Sequence, residues 1–167
     1  DGGKSWQKIT RGLPAGVYVQ SVKEDPKKRG LLVAGTELGV FVSFDDGDDW
    51  QSLQLNLPPV SNRDLAFKDN DLIVATHGRG FWVIDDISSL RQVTPAVLAA
   101  DAYLFKPGDA INVQQGGDNG TPLQKDEPQA PNPPNGAVID YYLKTDATGP
   151  VTVDILGPNG EVLHTFS

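Results

Sequence analysis

The sequence predicts an all-β fold, and three features of the chain support this class. Short apolar or alternating runs recur along it, and turns rich in Gly and Pro separate them. One hairpin motif also occurs twice, 44 residues apart. A period of roughly 40–50 residues is typical of the blades of a β-propeller. We therefore expect residues 1–90 to form the C-terminal blades of a propeller.

The repeated motif has the pattern S-x-D-x-G-x-x-W and is complete from Ser43 to Trp50, with Asp45 and Gly47 between them. Glycine tolerates the positive φ of a tight turn, aspartate accepts bonds from amides of its own turn, and tryptophan covers the loop. We interpret the motif as structural. The alternative is a cation site built from Asp45, Asp46, Asp48 and Asp49. The earlier copy keeps three of the four positions: Asp1, Gly3 and Trp6.

A third repeat lacks the motif. An ungapped shift of 41 residues sets Leu31–Ala34 on Leu72–Ala75, and Val40–Val42 on Phe81–Val83. We expect Trp6–Ile9 to be the outer strand of one blade, followed by a complete four-stranded blade. The last blade shows only three strands. The chain would thus open inside a repeat and depend on other blades or chains for the missing strands. The remaining expected strands are 17–22, 31–34, 39–44, 50–55, 64–67, 72–76 and 81–84.

A second region is expected after a linker over 91–101 with short helical turns, preceded by a capped helix over 85–90. The short alternating strands and turns of residues 102–167 predict a partial β-sandwich of the immunoglobulin or fibronectin type III class. Its long loop, 114–135, is rich in proline. The expected strands of this region are 102–105, 110–113, 136–144, 151–156 and 162–166.

The motif resembles the Asp-box, or bacterial neuraminidase repeat (BNR), of sialidases, sortilin-type propellers and some bacterial glycoside hydrolases. The stretch Ala75–Asp86, A-T-H-G-R-G-F-W-V-I-D-D, is similar to the closing blade of large sortilin-like or glycosyl-hydrolase-like bacterial proteins. Asn132–Ser167 is similar to the segment that follows their propeller. The resemblance implies a fragment of such a protein, with Asp-boxes on the propeller rim, away from any substrate.

Composition narrows the possible functions. The formal charge of −8 and the pI near 4.6 argue against nucleic acid as a partner, since phosphate contacts need clustered Lys and Arg. Cysteine is absent, so the chain has no disulfide or thiol chemistry. No apolar run approaches the ~20 residues of a membrane span. An extracellular or periplasmic location is compatible with these features.

Four side chains are candidates for ligand binding on one propeller face, which is formed by the loops between strands 2 and 3 of each blade and by those from strand 4 to strand 1 of the next blade. They are Glu37, Arg63, His77 and Arg79. Arg79 is suited to a bidentate contact with a carboxylate such as sialic acid or a peptide C-terminus. The alternative is that Arg79 ties neighbouring blades through backbone carbonyls. Glycoside hydrolysis needs two carboxylates across a cleft, and Asp64, which begins an inner strand, completes no such pair.

The function predicted from these features is a binding module for protein or glycan ligands, without cofactor, metal or catalytic residues in this chain. The partners we expect are the other propeller blades and that ligand. A glycoside hydrolase with its catalytic carboxylates in other blades is one alternative. A structural or assembly subunit is another.

Overall fold

The computed structural model describes residues 2–110 and 136–167. Asp1, the proline-rich loop 114–135 and the core of the strand expected over 110–113 lie outside these described residues. Within them the chain forms eleven strands, one short α-helix and one 3₁₀ turn, grouped into four antiparallel sheets. The predicted all-β class is confirmed.

Two of these sheets contain the repeats. The first sheet has four strands in chain order: β1 (Val19–Glu24), β2 (Leu32–Thr36), β3 (Val40–Ser43) and β4 (Gln51–Ser52). The second sheet has three: β5 (Asn62–Lys68), β6 (Asp71–Thr76) and β7 (Phe81–Ile84). The strand expected over Trp6–Ile9 is wrong for this structure, since these residues lie outside every sheet. A strand needs an edge to pair with, and this segment pairs with no strand edge within the described ranges.

The C-terminal region consists of two small sheets. A 3₁₀ turn (Leu90–Gln92) takes the place of the helix expected over 85–90, and α1 (Pro95–Ala99) follows it, capped by Thr94 Oγ1. One sheet pairs β8 (Ala102–Leu104) with β9 (Tyr141–Leu143). The other pairs β10 (Val153–Leu156) with β11 (Val162–Phe166). The sandwich architecture and the domain boundaries stay predictions.

The first and second sheets pack face to face around one apolar core, which we call the inter-sheet core. Burying a large aliphatic side chain of this kind stabilises the fold by about 1.5–3 kcal/mol. The buried members come from both sheets and from the segments that follow them: Leu31, Val33, Val40, Val42, Leu57, Leu65, Leu72, Val74 and Ile87.

A smaller cluster covers the opposite face of the first sheet. Leu32, Ala34 and Phe41 pack there with Trp50, and Leu13 lies against them. Successive side chains of a strand point to opposite faces. Every residue of β2 is therefore buried, because this strand is covered on both sides.

The second sheet repeats the first with small changes of spacing. Ala34 lies opposite Phe41 in the first sheet, as Val74 lies opposite Trp82 in the second. Corresponding residues are thus 40 positions apart on β2 and β6, and 41 apart on β3 and β7.

This register corrects the ungapped shift of 41 residues along β2 and β6. The loop Thr76–Gly80 is one residue longer than the loop Thr36–Gly39, and an ungapped comparison has no place for the extra residue. A slip of one residue moves a side chain to the other face of its strand. Ile73, and not Val74, therefore corresponds to Val33.

With this register the two sheets stack in the same orientation. Val40 and Val42 face the second sheet, while their counterparts Phe81 and Val83 lie on its outer face, where Phe81 is 79% exposed. Radial repetition of blades needs such like-oriented stacking. Two sheets do not close a ring, so the propeller itself remains a prediction.

The repeat also extends past the hairpin motif. Residues 6–14, W-Q-K-I-T-R-G-L-P, match residues 50–58, W-Q-S-L-Q-L-N-L-P, at the 44-residue offset. Leu13 and Leu57 occupy corresponding positions, in the smaller cluster and in the inter-sheet core. Their amides donate to the carbonyl oxygens of Thr10 and Gln54, at 3.1 and 2.8 Å. The segment before each sheet therefore packs against that sheet in the same way.

Candidate binding site at the loop end of the sheets

Two threonine-anchored loops lie at the same end of the stacked sheets, which we call the loop end. Thr36 Oγ1 donates to the carbonyl oxygen of Gly39 at 2.8 Å, and Thr76 Oγ1 donates to that of Gly80 at 2.7 Å. Because the anchors match, Glu37 and His77 hold corresponding positions just after the threonines. The structure thus brings Glu37, His77 and Arg79 to one end of the molecule.

Glu37 holds the segment that leads into β1. Its amide donates to Tyr18 O at 3.2 Å, and its Oε1 accepts from Tyr18 N at 3.3 Å. Glu37 is half-buried, so part of its carboxylate serves the fold. The Tyr18 ring is exposed beside it and offers an amphipathic surface to a ligand. Tyr18 was not among the predicted residues, since a single tyrosine carries no motif.

His77 and Arg79 project from a loop whose backbone is fixed. Gly78 and Gly80 adopt φ of 85° and 70°, which favour glycine, and the Trp82 indole donates to Arg79 O at 3.1 Å. Both the His77 and Arg79 side chains are exposed. The Arg79 guanidinium makes no hydrogen bond or ion pair with any other described residue. It is therefore open to an external carboxylate.

Arg63, the fourth candidate, sits on a β-bulge at the loop end. Pairing of β5 with β6 steps from Asn62 to Asp64 and leaves Arg63 as the extra residue. The first sheet has the same irregularity at Gln20 in β1. Bulges re-aim side chains and are frequent beside functional sites. Arg63 is exposed there and adds a second cation to the loop end.

Asn62 joins the two sheets beneath this end and was missed by the sequence reasoning. It is fully buried, and its Nδ2 donates to Thr36 O at 3.2 Å and to Val60 O at 2.9 Å. Gly35 makes room for it, because a Cβ there would lie 3.2 Å from Asn62 Cβ. Asn62 Oδ1 has no hydrogen-bond partner among the described residues. Both N–H groups of the Asn62 side-chain amide therefore form hydrogen bonds beneath the candidate site.

The complete hairpin motif lies at the opposite end, in the turn between β3 and β4. Ser43 Oγ donates to Asp45 Oδ1 at 2.7 Å, and Gly47 N donates to Ser43 Oγ at 2.9 Å. Trp50 is 5% exposed, and its indole N–H donates to Ile9 O at 3.0 Å. These contacts fit the structural interpretation of the motif.

The incomplete first copy keeps the backbone of this turn. Gly2 and Gly3 have φ of 67° and 83°, and the corresponding Asp46 and Gly47 have 63° and 93°. The indole differs: Trp6 is 91% exposed and donates to Gly3 O at 3.1 Å. The conformation of the turn is therefore encoded locally, whereas burial of the tryptophan depends on a neighbouring segment.

Two of the four aspartates of the suggested cation site, Asp45 and Asp49, already have partners within the protein. Asp45 Oδ1 accepts from Asp49 N at 2.9 Å, and Asp49 Oδ2 accepts from Arg11 Nη2 at 2.7 Å. Burial alone would raise the pKa of the Asp45 carboxyl, but bonds from Asp49 N–H and the Ser43 hydroxyl lower it. The described residues contain no group of three or more acidic, His or Cys side chains placed to hold a metal ion. The cation-site alternative gains no support.

Asp64 is exposed on the edge strand β5 and is held as a carboxylate. The Leu65 N–H lowers its pKa most, followed by the Ser21 hydroxyl at 3.1 Å and the Lys23 ammonium at 3.7 Å. A group stabilised in its ionised form is a poor general acid. Asp64 instead links β5 to Ser21 and Lys23 of β1.

Comparison with known proteins identifies no relative of this chain. No family model, curated protein or solved structure matches the chain. Across the ranges 2–110 and 136–167, no helix has both the length and the apolar character to cross a bilayer.

Proposed function

We propose that this chain belongs to a secreted or periplasmic Asp-box propeller protein and that its loop end binds a carboxylate-bearing protein or glycan ligand. The observation that carries the proposal is the exposed, rigidly mounted Arg79. Arg63 and His77 lie at the same end, and Tyr18 offers an aromatic surface beside Glu37. Planar guanidinium groups recognise carboxylates bidentately.

The repeat geometry supports the propeller part of this proposal. Like-oriented sheets, a shared bulge and matching Thr–Gly loops are features of successive blades. In that arrangement the Asp-box turns lie at the end away from the ligand. Nothing among the described residues favours the hydrolase, since Glu37 is engaged with Tyr18 and Asp64 is held ionised.

Calorimetric titration tests the binding proposal with two probes, 3′-sialyllactose and a short peptide with a free C-terminal carboxylate. We expect Arg79→Ala to weaken binding of one probe about tenfold or more. Arg29→Ala is the matched control, because Arg29 is exposed in the turn between β1 and β2 at the other end.

The amidated peptide and lactose without sialic acid should bind no variant. Equal losses in the Arg79 and Arg29 variants, or equal binding of charged and uncharged probes, would refute a carboxylate site at the loop end.

A further inference from the structure

The second sheet presents a free edge beside an exposed apolar face. Within the described ranges β7 pairs only with β6, and Phe81 and Val83 are 79% and 50% exposed on the outer face. An unpaired strand edge next to an apolar face is a template for another strand and sheet.

The first sheet shows what covers such a surface. Its β3 edge is paired by β4, with Phe41 opposite Ser52 and Val42 opposite Gln51. Leu53 N extends this ladder by donating to Val40 O at 2.8 Å. The face behind that edge is covered by the second sheet. Two elements therefore cover the edge and face of the first sheet: the strand that follows the hairpin motif, and the next sheet in the same orientation.

The segment Trp6–Ile9 has the sequence of that covering strand but pairs with no strand of the described chain. Its W-Q-K-I matches W-Q-S-L of Trp50–Leu53. Ile9 O accepts from the Trp50 indole, and Arg11 is paired with Asp49. These contacts hold the segment on the side of the first sheet that faces away from the second sheet. It cannot reach β7 of its own chain without breaking them.

The outer face of the first sheet is the other half of the cover. Val22 corresponds to Leu65, because they lie opposite Ala34 and Val74. Leu65 is buried against the first sheet, whereas Val22 is 49% exposed. Within the chain, Leu65 is buried by one face of the first sheet. Phe81 and Val83 form the corresponding face of the second sheet, which is exposed.

We propose that copies of this chain associate head to tail, continuing the contact between the first and second sheets from one molecule to the next. The Gln7–Lys8 segment of one copy pairs with β7 of another, and the Val22 face covers Phe81 and Val83. The internal repeat fixes the register: Gln7 lies opposite Val83, Lys8 opposite Trp82, and Ile9 N donates to Phe81 O. The contact is heterologous: each copy has one donor and one acceptor surface, and every contact uses one of each.

Sedimentation velocity of the 167-residue chain over a range of concentrations tests this, using Val22→Asp to block the donor face and Val83→Asp to block the acceptor face. The unaltered chain should gain mass with concentration, and each variant alone should remain monomeric. An equimolar mixture of the two variants should form a dimer and nothing larger. Leu163→Asp, an exposed site on β11, is the control and should assemble normally.

A mixture that remains monomeric would overturn the head-to-tail contact, as would assembly of either variant alone. A monomeric unaltered chain would also overturn it. Slow amide exchange across Phe81–Ile84 in that monomer would identify a segment of the same chain as the cover. Fast exchange there would show that β7 is uncovered in the monomer, so that its cover would have to come from a different polypeptide.

The register has its own test, because the chain contains no cysteine. Gln7→Cys in one copy and Val83→Cys in another should form an intermolecular disulfide under mild oxidation, since directly opposite residues have Cα atoms about 4.5–5.5 Å apart, within the range of about 4.4–6.8 Å found in disulfides. Gln7→Cys with Leu163→Cys should remain uncoupled. Equal yields from both pairs would contradict the proposed strand pairing.

Discussion

The first and second sheets share strand order, bulge and loop anchors, yet β2 and β3 of the first sheet are covered on both faces and the second sheet is covered on one. Val42 and Val83 show the difference: they correspond in register, but Val42 is buried and Val83 is half exposed. Burial in this protein is therefore a property of the stack. The sequence of a repeat specifies which face of its sheet is apolar, and the neighbouring sheets determine whether that face is buried.

The two sheets also close differently at the end opposite the loops. The first ends in the complete hairpin motif, anchored by Trp50. At the 41-residue offset, the positions of Asp45 and Trp50 are taken by Asp86 and Arg91. Arg91 Nε donates to Asp25 Oδ2 at 2.9 Å, and its Nη1 donates to Asn70 at 2.7 Å. An ion pair reaching back to the first sheet thus replaces an apolar anchor.

The largest effect is expected at Trp50. Trp50→Ala removes a buried indole and its bond to Ile9 O, and should lower the free energy of unfolding by about 3–5 kcal/mol. Trp6→Ala, at the corresponding but exposed position, should change it by less than about 0.5 kcal/mol in the dilute monomer. Urea denaturation of both variants measures the difference. Equal losses would contradict the distinct environments of the two motif copies.

The ionic anchor should come next. Arg91→Ala leaves the fully buried Asp25 carboxylate without its cation, and we expect a loss of about 3 kcal/mol in unfolding free energy. Arg29→Ala removes the same charge from an exposed turn and should be near neutral. If Arg91→Ala proves as mild as its control, the second sheet is not anchored through Asp25.

A smaller effect is expected where the sheets touch. A Cβ at Gly35 would lie 3.2 Å from Asn62 Cβ and 3.5 Å from Leu65 Cγ, so Gly35→Ala should cost about 1–2 kcal/mol. Ala75 corresponds to Gly35 on the less covered second sheet, and Ala75→Gly should cost about 0.5–1 kcal/mol through backbone entropy alone. Thermal unfolding of the pair checks this. A stabilising Gly35→Ala would contradict close packing at that point.

The smallest effect is a pH dependence of the unfolding free energy. It distinguishes the buried Asp25 from the exposed Lys68–Asp69 pair of the second sheet. Burial raises the pKa of the Asp25 carboxyl, but bonds from Arg91 and from the amides of Lys27 and Lys28 outweigh it and lower the pKa. This contribution to stability should be complete above about pH 4, the ordinary aspartate pKa, and be lost as pH falls through the lower folded-state value. Arg91→Ala should reduce the acid dependence of the denaturation midpoint, whereas Lys68→Ala, which removes the exposed partner of Asp69, should change it much less.

Most strands could be predicted from sequence because short apolar runs and turn residues are local signals. The runs around Val33, Val42 and Val153 became strands close to their expected bounds. Trp6–Ile9 did not, because pairing depends on an edge that a local pattern does not contain.

The remaining discrepancies have non-local causes. The extra residue in the loop Thr76–Gly80 shifted the repeat by one position, and only the strand pairing reveals it. Asn62 and Arg91 carry no motif, and their roles depend on contacts 26 and 66 residues away along the chain. Arg79 and His77 were found through their Gly-flanked loop, a local signal. Tyr18 was not, since its position depends on Glu37.

The central claim is that the two sheets are successive repeats stacked in the same orientation. Methyl NOE measurements on the 167-residue chain test it most directly, because Val33 and Val42 face the second sheet. We predict NOEs from these methyls to Leu72 and Val74, which line the inter-sheet core. NOEs from Val33 and Val42 to Ile73 and Val83 instead would contradict the account, since they would turn the second sheet over.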